Sequence, residues 1–361
     1  MHAYELSLAV SPNGTFAAWH GGFGQEAAIY LQRVDAGGRL TGRALKISDG
    51  KRHAYEPDLI TAGDDLVAAW YEKDSAGHLS GRLVSTMPDG KRLWETGFGH
   101  SSKQVRNPTV RQLGDHLEAA WIEQSREDDH TNRATVWHQR FTLTGKPLGP
   151  ARQIGLANRD TWNINACVSG GNLIVVYDAA VSSQVHELQM IVVGASGARQ
   201  MTLGANDGFA SLYPDLQVNS TGQAALTWFD EKDGNEEVYL VAEPLEALEQ
   251  GRMLSPLRVS HSQEDSIGAY VVWNGSIIGL AWSDVVSGQR DVLTRTFTAD
   301  GKPFGPVRVF KPTKGEASIP AIRAAGSGFL VAWNDYRVQG AAGHGHVTSS
   351  VARVASLQIS H

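Results

Sequence analysis

Residues 66–74 of the chain read LVAAWYEKD: four aliphatic or small residues, an aromatic residue, and an acid two positions further on. Similar runs occur at 15–22 (TFAAWHGG) and 117–124 (LEAAWIEQ). The aromatic residues that end these runs, which we call the anchors, are Trp19, Trp70, Trp121, Tyr177, Trp228, Trp282 and Trp333. Successive anchors lie 51, 51, 56, 51, 54 and 51 residues apart. This spacing predicts seven copies of one structural repeat.

Each repeat contains four short segments with strand character, separated by turn residues. The first is typified by EPDLIT (56–61), the anchor segment by FLVAW (329–333), the third by VLTRTFT (292–298) and the last by PVRVF (306–310). Four short antiparallel strands at this period are typical of a β-propeller blade. We therefore predict one all-β domain, a seven-bladed β-propeller of four-stranded antiparallel blades, divided roughly at 1–50, 51–100, 101–156, 157–206, 207–261, 262–312 and 313–361.

The last repeat is irregular after HVTSSVARV (346–354), and one way to close the ring is to pair the N-terminal segment with the last blade. The net charge of −6 argues against a nucleic-acid partner, and no apolar run is long enough for a membrane span. We expect a monomer. The start MHAYELSLAV has no signal-peptide pattern, so we expect either an exported bacterial protein, periplasmic or secreted, whose signal has been removed, or a cytoplasmic one. The single cysteine, Cys167, lies in an apolar run and is predicted to be buried and inert.

An acid follows most anchors at the same distance. In a strand, residues i and i+2 point to the same face, so each acid is predicted to lie beside its own anchor. There it is expected to accept hydrogen bonds from loop N–H groups or to pair with a basic residue nearby. The alternative is that one or two of these acids serve as an acid, a base or a metal ligand, or bind substrate. The acids are Glu72, Glu123, Asp230, Asp284 and Asp335, whereas blade four has Asp178 one residue after its anchor and blade one has Gly21.

The segments that precede the first strands differ from blade to blade and share one rim, so we place a binding pocket there. His and Tyr near basic groups can serve as base and acid beside a carboxylate, which makes His53 with Tyr55, and His100 with Tyr213, the candidate catalytic pairs. Arginine suits carboxylates, and aromatic faces suit sugar rings. The candidate substrate-binding residues are Arg52, Arg106, Asn107, Arg159, Trp162, Glu72, Glu123, Asp230, Asp335 and Arg337.

No motif for a catalytic metal or a cofactor is present in the sequence. Two acidic loops have the oxygen-rich composition that suits a structural Ca²⁺, although neither has the spacing of an EF-hand. The first contains Glu127, Asp128, Asp129 and His130, and the second contains Asp230, Asp233, Asn235 and Glu237.

The anchor segments also resemble a known family. AALTWFDEKDGNEEVYL (224–240), IGLAWSDVVSGQRDVLTRTF (278–297) and FLVAWNDYRVQG (329–340) look like the W-x-D-x-R repeats of bacterial sialidase-like propellers. The Asp-box of true sialidases, S-x-D-x-G-x-x-W, is absent, so the resemblance carries over no sialidase active site. Propellers of this general kind include glycoside hydrolases, polysaccharide lyases, lectins and interaction scaffolds, and the resemblance implies a carbohydrate ligand in the mouth of the central channel.

Two classes of function follow. The first is an enzyme acting on an acidic, uronate-containing poly- or oligosaccharide. A lyase would need Arg or Lys with a Tyr/His pair in one groove, whereas a hydrolase would need two acids at a defined separation. The second class is a non-enzymatic binding propeller, either a lectin or a protein-interaction scaffold. The rim residues differ between blades, which disfavours a multivalent lectin.

Overall fold

The computed structural model describes residues 4–21, 27–125, 133–182, 185–204, 207–252, 256–313, 315–339 and 346–359. Within these residues the chain forms seven antiparallel sheets, each built from strands that are consecutive in sequence. Blade one contains β1 (Tyr4–Ser11), β2 (Gly14–Gly21), β3 (Ala28–Val34) and β4 (Leu40–Lys46). Blade two contains β5 (His53–Ala62), β6 (Asp65–Lys73), β7 (Leu79–Thr86) and β8 (Arg92–Phe98). Blade three contains β9 (Lys103–Leu113), β10 (His116–Ser125), β11 (Ala134–Thr142) and β12 (Arg152–Gln153).

The other four sheets complete the predicted seven-bladed propeller. Blade four contains β13 (Ile164–Ser169), β14 (Asn172–Ala180), β15 (His186–Gly194) and β16 (Gly197–Thr202). Blade five contains β17 (Ser211–Val218), β18 (Gln223–Asp230), β19 (Glu237–Pro244), helix α1 (Leu245–Glu249) and β20 (Leu257–Arg258). Blade six contains β21 (Ile267–Asn274), β22 (Ile277–Val285), β23 (Arg290–Thr298) and β24 (Arg308–Phe310), and blade seven contains β25 (Glu316–Ala317), β26 (Ala321–Ala325), β27 (Gly328–Gln339) and β28 (His346–Gln358).

The anchor strands form the hydrophobic core between blades. Trp70 is 1% exposed, and it packs with Phe16 and Ile29 of the preceding blade. Each second strand is covered by blades on both sides, which explains why its residues read as a continuous apolar run and do not alternate. Cys167 is buried as predicted, and burial raises the pKa of its thiol to about 12, which leaves it unreactive near neutral pH.

In each of blades one to six the first strand lines the central channel, and in blade seven β26 takes this place. We call these seven strands (β1, β5, β9, β13, β17, β21 and β26) the inner strands. Five of them carry a shift of register against the second strand at equivalent positions. The residues there have positive φ angles: Glu5 (48°), Glu56 (53°), Asn107 (44°), Tyr213 (53°) and Gly268 (62°). Such bulges re-aim side chains, and left-handed backbone at a non-glycine residue is strained, so the surrounding structure must hold this ring of positions in place.

The ring closes by side-chain packing. Strand β1 pairs with β2 inside blade one, so the proposed pairing of the N-terminal segment with the last blade is wrong for the described residues. In blade seven, β25 and β26 lie end to end along the same edge of β27, and β28 pairs with its other edge. Leu6 and Trp19 of blade one pack against Leu330 and Ala332 of blade seven, and this apolar contact takes the place of a shared strand.

Candidate functional site

A cavity of about 670 Å³ lies in the centre of the propeller, between the inner strands. All seven blades contribute to its walls, and the contributions differ in chemistry from blade to blade. The charged and aromatic lining residues are Glu5 (blade one), Glu56 and Asp58 (blade two), Arg106 and Arg111 (blade three), Asp160 and Trp162 (before β13 of blade four), Tyr213 and Asp215 (blade five), Tyr270 (blade six) and Arg323 (blade seven).

Two carboxylates, Glu5 and Glu56, share one side of this cavity. Enclosure by the channel walls raises the pKa of Glu5 well above its ordinary value, and the charge of Glu56 raises it further. Burial also raises the pKa of Glu56, although a hydrogen bond from Tyr71 and the charge of Arg106 act in the opposite direction. Because each carboxylate disfavours ionisation of the other, the pair holds a proton over a pH range in which an isolated glutamate would be ionised.

Hydrogen bonds fix Glu56 more firmly than Glu5. The Tyr71 hydroxyl donates to Oε1 of Glu56 at 3.0 Å, whereas Oε2 of Glu56 has no hydrogen-bond partner among the described residues. The Glu5 side chain is 54% exposed within the channel, and its Oε2 lies 3.5 Å from Nδ1 of His20. The same space is therefore lined by a restrained carboxylate, that of Glu56, and by a carboxyl group that is more accessible, that of Glu5.

His20 lies behind the carboxylate pair as a neutral base. Burial lowers the pKa of His20 to about 4, so its ring is uncharged near neutral pH. The backbone N–H of Glu56 donates to Nδ1 of His20 at 3.5 Å, and the ring packs edge-on against Tyr55 with centroids 5.4 Å apart. His20 therefore supports the strained backbone that carries Glu56.

Aromatic side chains from blades four and five lie on the walls of the cavity. Trp162 is 44% exposed, and the ring of Tyr213 stacks on Phe229 with centroids 5.3 Å apart. Burial and nearby carboxylates raise the pKa of Tyr213 to about 12, so its hydroxyl remains a donor at neutral pH. Flat apolar faces next to polar groups suit the ring of a sugar.

Charged residues of two signs cross the deeper part of the cavity. Arg111 Nη1 lies 2.6 Å from Asp58 Oδ2, and its Nε donates to the carbonyl of Ala166 at 2.6 Å. Burial would raise the pKa of Asp58, but Arg111 and hydrogen bonds from neighbouring groups lower it below its ordinary value. Arg323 interacts electrostatically with Asp58 and with Asp215. The two arginines and two aspartates thus balance one another, and the other charged lining residues are Glu5, Glu56, Asp160 and Arg106.

Four of the residues predicted from sequence line the cavity: Arg106, Asn107, Trp162 and Tyr213. Tyr55 lies one residue before Glu56, with its ring stacked on Tyr71 at 5.4 Å. The first candidate catalytic pair, His53 with Tyr55, therefore lies beside the cavity, and its ring centroids are 6.4 Å apart.

The other predicted basic residues lie outside the set of lining residues. His53 Nδ1 accepts from the N–H of Ala27 at 3.3 Å, and His100 Nδ1 lies 2.8 Å from Glu123. His100 is thus not brought to Tyr213, because Glu123 and Trp137 hold it against blade three. Arg52 contacts Ser80 and Glu72. Arg159 is exposed, and its described hydrogen bonds are made by its backbone, to Ala134 and to the Thr161 hydroxyl.

The acids that follow the Trp anchors lie beside them, as the spacing predicted, and each accepts a hydrogen bond from the anchor itself, a donor that the spacing did not predict. The indole N–H of Trp70, Trp121, Trp228, Trp282 and Trp333 donates to Glu72, Glu123, Asp230, Asp284 and Asp335, at 3.1, 2.9, 3.3, 3.4 and 2.8 Å respectively. These acids are buried and do not line the cavity. The side chain of Arg337 lies outside the described residues, so its predicted role stays a prediction.

The second loop proposed for calcium already contains a cation. Arg258 lies 2.6 Å from Glu237 and 3.2 Å from Asp233. A guanidinium at this position would repel Ca²⁺. Most of the first loop, 126–132, lies outside the described residues. Across the described part of the chain, no group of three His, Cys, Asp or Glu side chains has the geometry to hold a metal ion.

Sequence reasoning missed the other charged and aromatic residues of the cavity, which are Glu5, Glu56, Asp58, Arg111, Asp160, Asp215, Tyr270 and Arg323. A signal was available, because Glu56, Asn107 and Tyr213 each precede a proline at the same position of their repeats. That position is the bulge of the inner strand, where the side chain is turned into the channel. Glu5 precedes Leu6 and lacks this proline, so only the register of β1 against β2 places it in the same ring.

Comparison with known proteins shows the fold alone. No family model matches the sequence, and no curated protein matches it. Among solved structures, the chain superposes on a PL25 ulvan lyase bound to -[GlcA(1-4)Rha3S]- with a TM-score of 0.60 and 10% identity, covering 98% of this chain and 92% of the lyase. It superposes on the GH93 α-L-arabinofuranosidase of Fusarium graminearum with a TM-score of 0.59 and 11% identity, covering 92% and 98% of the two chains.

A sialidase, Hadza microbial sialidase Hz136, is similar over 78% of this chain and 63% of its own, with a TM-score of 0.52 and 12% identity. The chain also covers 53% of a Mycobacterium tuberculosis puromycin-hydrolyzing peptidase, with a TM-score of 0.57 and 10% identity over 95% of this chain. The molecule is thus a seven-bladed β-propeller whose structural neighbours include sialidase, glycoside hydrolase and polysaccharide lyase propellers. Because a peptidase is among the neighbours too, the function has to be argued from the cavity. Within the described residues no helix is long and apolar enough to cross a bilayer.

Proposed function

We propose that this protein is a carbohydrate-active enzyme that hydrolyses a glycosidic bond in the central cavity, with Glu5 and Glu56 as the paired acids. The observation that carries the proposal is the placement of two mutually repelling carboxyl groups, with raised pKa values, on adjacent inner strands of one cavity. Glycosidic bond hydrolysis requires a protonated acid and an ionised carboxylate on either side of the bond. Sharing one proton between Glu5 and Glu56 supplies both forms at once.

The two acids have different roles in this scheme. Glu5 has the more strongly raised pKa and the more accessible side chain, so it is the proton donor to the leaving oxygen. Glu56 accepts a hydrogen bond from Tyr71, which favours its ionised form, so it acts as the base or the nucleophile. Trp162 and Tyr213 supply the faces against which the sugar ring packs.

The balance of charge bears on the substrate. Arg111 and Arg323 interact with Asp58 and Asp215, which leaves three acids and Arg106 among the remaining charged lining residues. A neutral glycan suits such a cavity better than a uronate does.

The second candidate function is the lyase reaction on a uronate-containing glycan. Arg106 and Tyr213 line the same cavity, and an arginine with a tyrosine is the pair that neutralises a uronate and moves its proton. No histidine lines the cavity among the described residues, which leaves this reaction without the His/Tyr pair expected from sequence.

The test is to incubate the protein with neutral and uronate-containing oligosaccharides, arabinobiose among them, while following reducing ends and unsaturated uronate products in parallel. Hydrolysis predicts reducing ends alone, and Glu5→Gln or Glu56→Gln should lower kcat by about 10²–10⁴-fold. Glu246→Gln, an exposed carboxylate on α1, is the matched control and should be unchanged. Unsaturated products would establish the lyase, and binding without turnover would establish the non-enzymatic alternative.

A further inference from the structure

Asp178 is the acid that departs from the repeat. In five other blades the acid lies two residues beyond a Trp anchor and accepts its indole N–H. In blade four the anchor is Tyr177, whose hydroxyl accepts from the N–H of Leu156 at 3.1 Å. The acid is the next residue along β14, and neighbouring residues of a strand point to opposite faces. Asp178 is therefore turned away from its own anchor.

The carboxylate of Asp178 reaches two residues of the cavity that belong to different blades. The N–H of Trp162 donates to its Oδ1 at 2.7 Å, and the N–H of Tyr213 donates to its Oδ2 at 3.2 Å. Asp178 itself is fully buried. His186 Nδ1 lies 3.4 Å from Oδ1, and the His186 ring packs against Trp162 with centroids 4.9 Å apart. One side chain thus ties the two aromatic walls together across the boundary between blades four and five.

Both backbone segments need such a tie. Tyr213 has a φ angle of +53°, a conformation that a tyrosine keeps only when its surroundings hold it there. Trp162 lies before β13, in a stretch without strand pairing, and is 44% exposed. A carboxylate that accepts two amide hydrogen bonds in a buried position supplies charge-assisted bonds to both.

We propose that Asp178 is a positioning residue, which sets the separation of Trp162 and Tyr213 and thereby selects ligands whose sugar ring can pack against these aromatic faces. The ligand part of this inference rests on the proposed function, whereas the positioning part rests on the hydrogen bonds alone. Asp178 touches neither Glu5 nor Glu56 in any described contact, so the proton transfers of the reaction remain intact without it.

The chain offers a matched control for Asp178. Asp284 of blade six is also buried, at 3% exposure, and also accepts two hydrogen bonds, from the indole of Trp282 and the N–H of Val285. It does not line the cavity. A general cost of losing a buried acid should therefore be the same at the two positions, and a positioning effect should be confined to Asp178.

The first measurement is amide hydrogen exchange on the whole chain, for Asp178→Ala, Asp178→Asn and the same two changes at Asp284. We expect exchange at 161–163 and 212–213 to become about tenfold faster or more in both Asp178 variants, with the smaller effect for Asn, which keeps one acceptor. The Asp284 variants should leave these segments unchanged. Equal exchange in the Asp178 and wild-type proteins would overturn the inference, whether or not any sugar binds.

The second measurement uses arabinobiose and the best substrate of the oligosaccharide panel. Asp178→Ala should raise KM or Kd about tenfold or more while the shape of the pH profile of kcat stays that of the wild type. The inference would be contradicted if the pH profile of kcat shifted together with the change in KM, or if Asp178→Ala bound the sugar as tightly as the wild type. If the wild type neither binds nor cleaves any sugar, the proposed function fails, and hydrogen exchange still decides whether Asp178 positions the two aromatic residues.

Discussion

The hydroxyl of Tyr71 donates a hydrogen bond to Oε1 of Glu56 at 3.0 Å, and this bond joins the second strand of blade two to the bulge of its inner strand. Burial raises the pKa of Tyr71, and Glu56 raises it further, because ionisation of the phenol would place a second negative charge beside the carboxylate. Burial also raises the pKa of Glu56, and the same hydrogen bond offsets part of this rise. The hydrogen bond from Tyr71 therefore favours the ionised form of Glu56.

Tyr71→Phe should move the acidic limb of the pH–activity profile to higher pH. Loss of the hydrogen bond raises the pKa of Glu56, so the ionised form is present only at higher pH. The measurement is kcat/KM against pH on the best substrate of the panel. Tyr55→Phe is the control, because no described hydrogen bond joins Tyr55 to either glutamate. Identical profiles for the Tyr71 variant and the wild type would contradict the role given to Glu56.

His20 should make the protein less stable as the pH falls from about 6.5 to about 4. The folded-state pKa of His20 is about 4, whereas its ordinary value is 6.5. In this window the unfolded chain binds a proton that the folded protein excludes, so acidification favours unfolding, by at most about 1.4 kcal/mol per pH unit. Glu5 acts in the opposite sense, because its raised pKa stabilises the folded state at low pH and this stability is lost as the pH rises.

Denaturant unfolding at a series of pH values can separate these contributions. His20→Gln removes the titrating ring and keeps Glu5, so its free energy of unfolding should fall less on acidification than that of the wild type. Parallel curves for the two proteins would show that His20 is not held neutral in the fold.

Trp121→Phe should cost about 1–3 kcal/mol more in the free energy of unfolding than Trp19→Phe. The indole of Trp121 donates to Glu123 at 2.9 Å, whereas the buried Nε1 of Trp19 has no partner among the described residues. Trp121→Phe leaves a buried carboxylate oxygen of Glu123 without its indole donor. Trp19→Phe instead removes an indole N–H that has no acceptor among the described residues. Chemical denaturation of both variants checks this, and equal losses would mean that the indole–acid bond contributes nothing net.

Arg111→Met should destabilise the protein by about 3–5 kcal/mol, because it removes the salt-bridge partner of the Asp58 carboxylate inside the channel. The double variant Arg111→Met with Asp58→Asn should recover part of this loss. The double-mutant cycle measured by denaturant unfolding gives the coupling of the pair. If the free energy of unfolding lost in the double variant equals the sum of the losses in the two single variants, the charge balance described for the deeper part of the cavity is ruled out.

Arg106→Ala should abolish ligand binding with little change in thermal stability, whereas Arg159→Ala should leave binding unchanged. Arg106 lines the cavity and its charge acts on Glu56, but Arg159 is exposed and takes part through its backbone. Isothermal titration with the sugars of the panel checks both variants. A loss of binding confined to Arg159→Ala would move the site to the outer rim.

The periodicity of the sequence determined the architecture. Seven anchors at a nearly constant spacing specify seven equivalent blades, because each blade can bury its apolar strand only against a neighbour of the same shape. The acid after each Trp was predictable for the same reason, since residues i and i+2 of a strand share a face. Arg106, Asn107, Trp162 and Tyr213 could be predicted too, because they stand where neighbouring repeats differ.

The site itself was decided by tertiary structure. Glu5 and Glu56 are 51 residues apart, and the packing of blade one on blade two, together with the bulges of β1 and β5, turns both into one cavity. The proline after Glu56 marks its bulge in the sequence, but no local pattern marks Glu5, and the raised pKa of Glu5 arises from burial and from the charge of Glu56. In the same way, Asp178 could be recognised in the sequence as an exception, but only the packing of blade four on blade five shows that it holds Trp162 and Tyr213.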